Sequence, residues 1–135
     1  MTDFELIKEA ERARESAYAP YSDFKVGAAL LTESDRVYVG CNIENASFSP
    51  TVCAERVAFF EAVKKGERDF KAIAVVGAKN GNMASFCPPC GVCRQVMSEF
   101  CHKDFRIILG SSESFQSYTL EELLPFSFSN MDSIL

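Results

Sequence analysis

The segment Phe70-Lys71-Ala72-Ile73-Ala74-Val75-Val76-Gly77 is apolar almost throughout. A strand of that composition has no face to offer water and belongs in the middle of a sheet covered on both sides. Helices must supply the cover, and the flanking sequence contains them. From Ala54 to Lys65, Val57, Phe60 and Val63 recur at helical intervals and Gly66 provides a stop. From Cys90 to about Phe100, Val92, Val96 and Phe100 fall on one side of a further helix. Thr2-Asp3-Phe4-Glu5 is a capping box, and Leu6, Ala10, Ala13 and Ala17 behind it predict an amphipathic helix over residues 3 to about 17, with Pro20 closing the region.

Phe24–Thr32 and Arg36–Asn42 read as two strands of a hairpin joined by Glu33-Ser34-Asp35. Phe105–Gly110 and Ser114–Thr119 predict two more, while the Asn, Gly and Ser content of Ala78–Phe86 reads as a loop. Thr119-Leu120-Glu121-Glu122 is a second capping box and opens a short helix that stops at Pro125. Phe126 and Phe128 in the tail have no local element to join. The order predicts an α/β fold, a sheet with helices layered on its faces. Small residues Gly27, Ala28 and Ala29 inside a strand require close approach by either a helix or a ligand.

At 135 residues the chain has the length of one domain, 1–135. No apolar run reaches the roughly 18 residues that a membrane span needs. The N-terminal residues lack the basic and apolar regions of a secretory signal, so the expectation is a cytoplasmic protein without a membrane partner. The net charge of -5 argues against a nucleic-acid partner, which calls for a basic patch. In a reducing compartment six cysteines point to metal binding or burial before disulfides.

Two of the expected helices begin on cysteine. Cys53-Ala54-Glu55-Arg56 and Pro89-Cys90-Gly91-Val92-Cys93 bring three thiolates, Cys53, Cys90 and Cys93, that can serve one zinc ion. A zinc with three protein ligands keeps its fourth position open for water, the arrangement of a catalytic site. Three thiolates leave a surplus negative charge, which helix N-termini and the guanidinium of Arg56 would offset. A surface salt bridge is the plainer role for Arg56. Glu55, two residues past the first ligand, is placed to carry protons; glutamate is also common at helix starts for electrostatic reasons alone. A lone Cys-x-x-Cys is weak, being shared with redox motifs and zinc ribbons. Cys87, three residues before Cys90, is a competing ligand that could close the metal in a binding module without catalysis. Cys41 and Cys101 read as small buried hydrophobes. His102, the single histidine, reads as a surface residue and offers no nucleophile pair.

The layout is one already described for zinc deaminases of nucleobases. With Phe24-Lys25-Val26-Gly27-Ala28-Ala29, Gly40-Cys41-Asn42-Ile43-Glu44-Asn45-Ala46 and Cys90-Gly91-Val92-Cys93-Arg94-Gln95 in the same chain, the sequence resembles the cytidine deaminase family, most of all its small homotetrameric all-cysteine branch. The resemblance runs from the first helix to Pro125 and beyond. It implies a three-layer α/β/α sandwich with a five-stranded mixed sheet, and hydrolysis of cytidine and deoxycytidine to uridine, deoxyuridine and ammonia. It implies Cys53, Cys90 and Cys93 as zinc ligands, Glu55 as proton shuttle and Arg56 tempering the ligand charge. Phe24 would line the base pocket, Asn42 and Glu44 would bind ribose hydroxyls, and the backbone of Ala54 and Cys90 would meet the pyrimidine. Phe128 would enter the site of a neighbouring subunit. Phe48, Phe126 and the Cys87-bearing loop depart from the family pattern.

Overall fold

The structure is a computed structural model that describes residues 1–84 and 86–129. Its elements run α1 (Asp3–Arg14), β1 (Phe24–Thr32), β2 (Val37–Cys41), α2 (Ala54–Lys64), β3 (Phe70–Lys79), β4 (Asn82–Met83), α3 (Gly91–Phe100), β5 (Arg106–Ser111), β6 (Ser114–Thr119) and α4 (Leu120–Leu123). The sheet order is β2-β1-β3-β5-β6, with the small β4 paired to the end of β3. The apolar segment 70–77 lies in β3, the middle strand, as its composition requires.

The topology decides where the site can be. β1 is antiparallel to both β2 and β3, and β3 is parallel to β5, so β2, β3 and β5 share one direction. Parallel strands need crossover connections. α2 makes the crossover from β2 to β3, and α3 the crossover from β3 to β5. Each crossover helix starts near the C-terminal end of the strand that feeds it. Both helix N-termini therefore stand at the same end of the sheet, where open α/β sheets place their ligands.

Strand alternation separates the core into two layers. Ala28, Leu30, Ile73, Val75, Ile107 and Leu109 face α2, α3 and α4, meeting Ala58, Phe59, Met97 and Leu120. Ala29, Leu31, Ala72, Ala74, Val76 and Ile108 face α1 through Leu6, Ile7 and Ala10. This is the expected three-layer sandwich, with six strands instead of five. The close approach at Gly27 is to a helix: a Cβ there would fall 2.0 Å from the Ala10 carbonyl oxygen and 2.5 Å from the Arg14 amide nitrogen. Gly40 does the same for α2, since its Cβ would meet the Ala54 carbonyl oxygen at 2.4 Å.

Two boundaries differ from expectation. α1 stops at Arg14 because the chain is claimed by the site end of the sheet: Tyr18 N–H donates to the Asn42 carbonyl (3.0 Å), and its own carbonyl accepts from Glu44 N–H (2.8 Å). The segment expected as a loop from Ala78 instead extends β3 to Lys79 and turns back through Asn80 and Gly81 into β4. Both turn residues have positive φ, 52° and 80°, the signature of the tight Asn-Gly hairpin. Residues 130–135 of the tail lie outside the described residues.

Candidate metal centre

Cys53 is the N-cap of α2 and Cys90 the N-cap of α3, both in extended backbone, and neither side chain makes a capping hydrogen bond. Cys93 lies one turn into α3 and is buried. The sulfurs converge: Cys53 Sγ to Cys90 Sγ is 3.7 Å and Cys90 Sγ to Cys93 Sγ is 3.6 Å. All three lie within 4.8 Å of one another. Zinc–sulfur bonds of about 2.3 Å at a tetrahedral angle put sulfurs about 3.8 Å apart. The three thiols thus fit one zinc ion held from two helix starts. Cys87 does not join this group, so among the described residues no fourth thiol closes the cluster.

Charge compensation is built into the first turn of α2. Arg56 Nη2 donates to Cys53 Sγ at 3.4 Å. Hydrogen bonding to Cys93, reinforced by Arg56 and Cys90, outweighs burial and draws the Cys53 thiol down to about 5. The bond to Cys53, together with burial, pushes Cys93 upward. Burial opposes the charge on Arg56, but the bonds to Cys53 and Cys93 outweigh it and raise its pKa. Glu55 is 4% exposed. Burial, with the negative charge at Cys53 adding, pushes its carboxyl up to about 7. A carboxyl poised near neutrality can both take and return a proton, the property required of a single acid–base group.

Ala54, between Cys53 and Glu55, is fully buried. Asn42 is buried too, and its side chain staples the start of β1: Oδ1 accepts from Val26 N–H and Nδ2 donates to the Phe24 carbonyl, both at 2.9 Å. One amide hydrogen and one oxygen lone pair remain for a ligand. Glu44 accepts from the backbone N–H of Tyr21 (2.9 Å) and Ser22 (3.1 Å) and from the Ser22 hydroxyl. The Ser22 hydroxyl first, then those amides, hold its carboxyl below the usual range. Phe24 is half-buried, on the same sheet face as Val26 and Ala28, under α2 and α3. Phe128 is exposed, and its carbonyl accepts from Gln95 Nε2 at 2.7 Å. Cys41 and Cys101 are half-buried, His102 exposed.

A family model described as the cytidine and deoxycytidylate deaminase zinc-binding region matches residues 1–109, which include all three clustered thiols. The chain belongs to the cytidine deaminase family. A cytidine deaminase of Sporosarcina psychrophila is 50% identical over 128 residues, covering 94% of this chain and 91% of that protein. The crystal structure of cytidine deaminase from Burkholderia pseudomallei superposes with a TM-score of 0.86 at 46% identity, covering 95% of this chain and all of the other. A blasticidin-S deaminase of Bacillus cereus is 31% identical over 132 residues, 93% of this chain and 91% of that protein. Membership makes the protein a zinc-dependent hydrolase of C–N bonds.

Residues that the sequence patterns do not single out also make contacts around the cluster and Glu44. Tyr21 and Ser22 present Glu44 through a contact across more than twenty residues. Arg94 donates from Nε to the Pro89 carbonyl (2.7 Å) and from Nη1 to the Leu123 carbonyl (2.6 Å), tying the Cys90 turn to the end of α4. Arg94 and Gln95 stand in the motif that carries the resemblance, and that position was the available signal.

Proposed function

We propose that this protein hydrolyses the exocyclic amine of cytidine and deoxycytidine, giving uridine and deoxyuridine with release of ammonia, as a cytoplasmic step of pyrimidine nucleoside salvage. The observation that carries the reading is the three-thiol cluster at two helix N-termini with the buried carboxyl of Glu55 beside it. Cys53, Cys90 and Cys93 would hold zinc, which when bound supplies a Lewis acid that activates water for attack. Glu55 takes the proton released from the water, delivers it to the ring nitrogen, and then serves the departing amine. Arg56 spreads the surplus negative charge of the thiolates.

The remaining residues orient the nucleoside. Phe24 walls the base, and the backbone of Ala54 and Cys90 meets the pyrimidine. The free amide hydrogen of Asn42 donates to one ribose hydroxyl, and the remaining lone pair of Glu44 accepts from another. A phosphate at that end would face the Glu44 carboxylate, and the loop from Asn42 to Pro50 holds no Lys or Arg to attract it. A nucleoside is therefore favoured over a nucleotide. A homotetramer would bring Phe128 into a neighbour's site. The exposed Val39, Phe48 and Phe60 support assembly, as does a groove of about 630 Å³ where Val37, Val39, Val52, Val57 and Phe60 are bordered by Tyr38, Glu61, Lys64 and Lys65.

Turnover of a panel of cytidine, deoxycytidine, cytosine and deoxycytidylate, followed by ultraviolet absorbance on zinc-loaded protein, tests the reading. Activity on both nucleosides is expected. Activity on deoxycytidylate without cytidine would refute it. The similarity to a blasticidin-S deaminase motivates a second reading, deamination of a nucleoside analogue, and adding blasticidin S to the panel separates the two.

A further inference from the structure

Cys87, one of the cysteines outside the metal cluster, has its thiol close to the Phe24 ring, and both converge on Gly77. A Cβ at Gly77 would lie 2.7 Å from Phe24 Cζ, 2.8 Å from Phe24 Cε1 and 2.9 Å from Cys87 Sγ. These are less than contact distances, so the ring rests directly on the backbone of β3. Gly77 is the register partner of Val26 and shares a sheet face with Val75 and Ile73, the face beneath α2 and α3.

The backbone around this ring has little room to yield. The Asn42 amide holds Phe24 and Val26, and the Gly77 carbonyl accepts from Ala84 N–H at 2.8 Å. The side chains of Phe24 and Cys87 are what would have to give. With the sheet below and the thiol at its edge, bulk added at Gly77 lifts the ring toward the helix layer that carries Cys53, Cys90 and Cys93.

We propose that Gly77 and Cys87 are specificity-determining residues: they let Phe24 lie low on β3 and so leave depth for a pyrimidine substituted at C5. The inference rests on the reading of Phe24 as the wall of a nucleoside site. In that reading C4 faces the metal, N3 faces Glu55 and N1 carries the sugar toward Asn42 and Glu44. C5 is then left to apolar surroundings, which an aromatic ring and a neutral thiol provide.

The test compares kcat/KM for 5-methylcytidine and cytidine on zinc-loaded protein. The wild type is expected to turn over both. Gly77→Ala is expected to lower the ratio of 5-methylcytidine to cytidine about tenfold, the scale on which a pocket distinguishes one methyl group, with zinc content retained. Adding Cys87→Ala to that variant frees the edge of the ring and is expected to restore most of the ratio. Should Gly77→Ala fail to fold, Cys87→Leu crowds the same ring from outside the strand and carries the same expectation. A wild type active on cytidine but not on 5-methylcytidine, an unchanged ratio in the crowded variant, or no recovery in the double variant overturns the assignment. No cytidine turnover by the zinc-loaded wild type refutes the functional reading itself.

Discussion

Four helices begin in two different ways. α1 and α4 open on threonines whose side chains accept from the N3 backbone, Thr2 from Glu5 at 3.1 Å and Thr119 from Glu122 at 3.2 Å, with both glutamates reaching back to complete the box. α2 and α3 open on Cys53 and Cys90, which make no such bond. A good N-cap contributes about 1 kcal/mol to a helix. The two cysteine-led helices forgo it, and the partial positive charge of their N-termini stands at the thiols. Packing supplies the stability instead: Ala54, Ala58, Phe59 and Ala62 of α2 are fully buried. At one end of this molecule helix termini are finished; at the other they are left open for chemistry.

The largest effect that can break this contrast is Cys90→Ser. Serine is a good cap and a poor zinc ligand, so α3 should gain a capping bond while metal content falls and cytidine turnover drops to background. Metal analysis beside an activity assay checks it, and full retention of both would dissolve the distinction. Next comes Glu55→Gln, which keeps the helix start and the thiols but removes the carboxyl proposed to carry protons. Turnover should fall about 10²- to 10⁴-fold with zinc retained; unchanged turnover would take Glu55 out of the mechanism. Arg56→Gln should weaken metal affinity or activity by about 10- to 100-fold, read by competition with a chelating dye. Thr2→Ala, on the finished side, should cost about 1 kcal/mol in urea unfolding and leave kcat alone. A loss of turnover there would mean that the α1 start serves the site as well.

What could be read in advance follows the same division. Capping boxes, the apolar middle strand and the cysteine-led helix starts are local patterns, so their elements are where the sequence puts them. The thiol cluster was legible because each half of it is a short motif, and the meeting of the halves follows from parallel crossovers. The turn at Asn80 and Gly81 was equally local, but its hairpin signal was submerged in a stretch whose composition reads as a loop. The clamp on Glu44 by the Tyr21 and Ser22 amides, and the bonds from Arg94 to the Pro89 and Leu123 carbonyls, depend on backbone groups that every residue type shares. The sequence shows the arginine and the glutamate but not the backbone groups they meet. α1 ends early for a related reason: its alanine periodicity continues past Arg14, while Tyr18 is taken by a bridge to Ile43 that the periodicity does not encode.

Gly40 extends this lesson to inheritance and engineering. A methyl there would meet Ala54, Ala58 and Val57, with the Ala54 carbonyl at 2.4 Å, so the α2 segment bearing Cys53 and Glu55 leans on its bare backbone. A single alanine in that edge strand would act as an active-site lesion delivered from outside. Screens that score only polar neighbours of the reaction centre would overlook it.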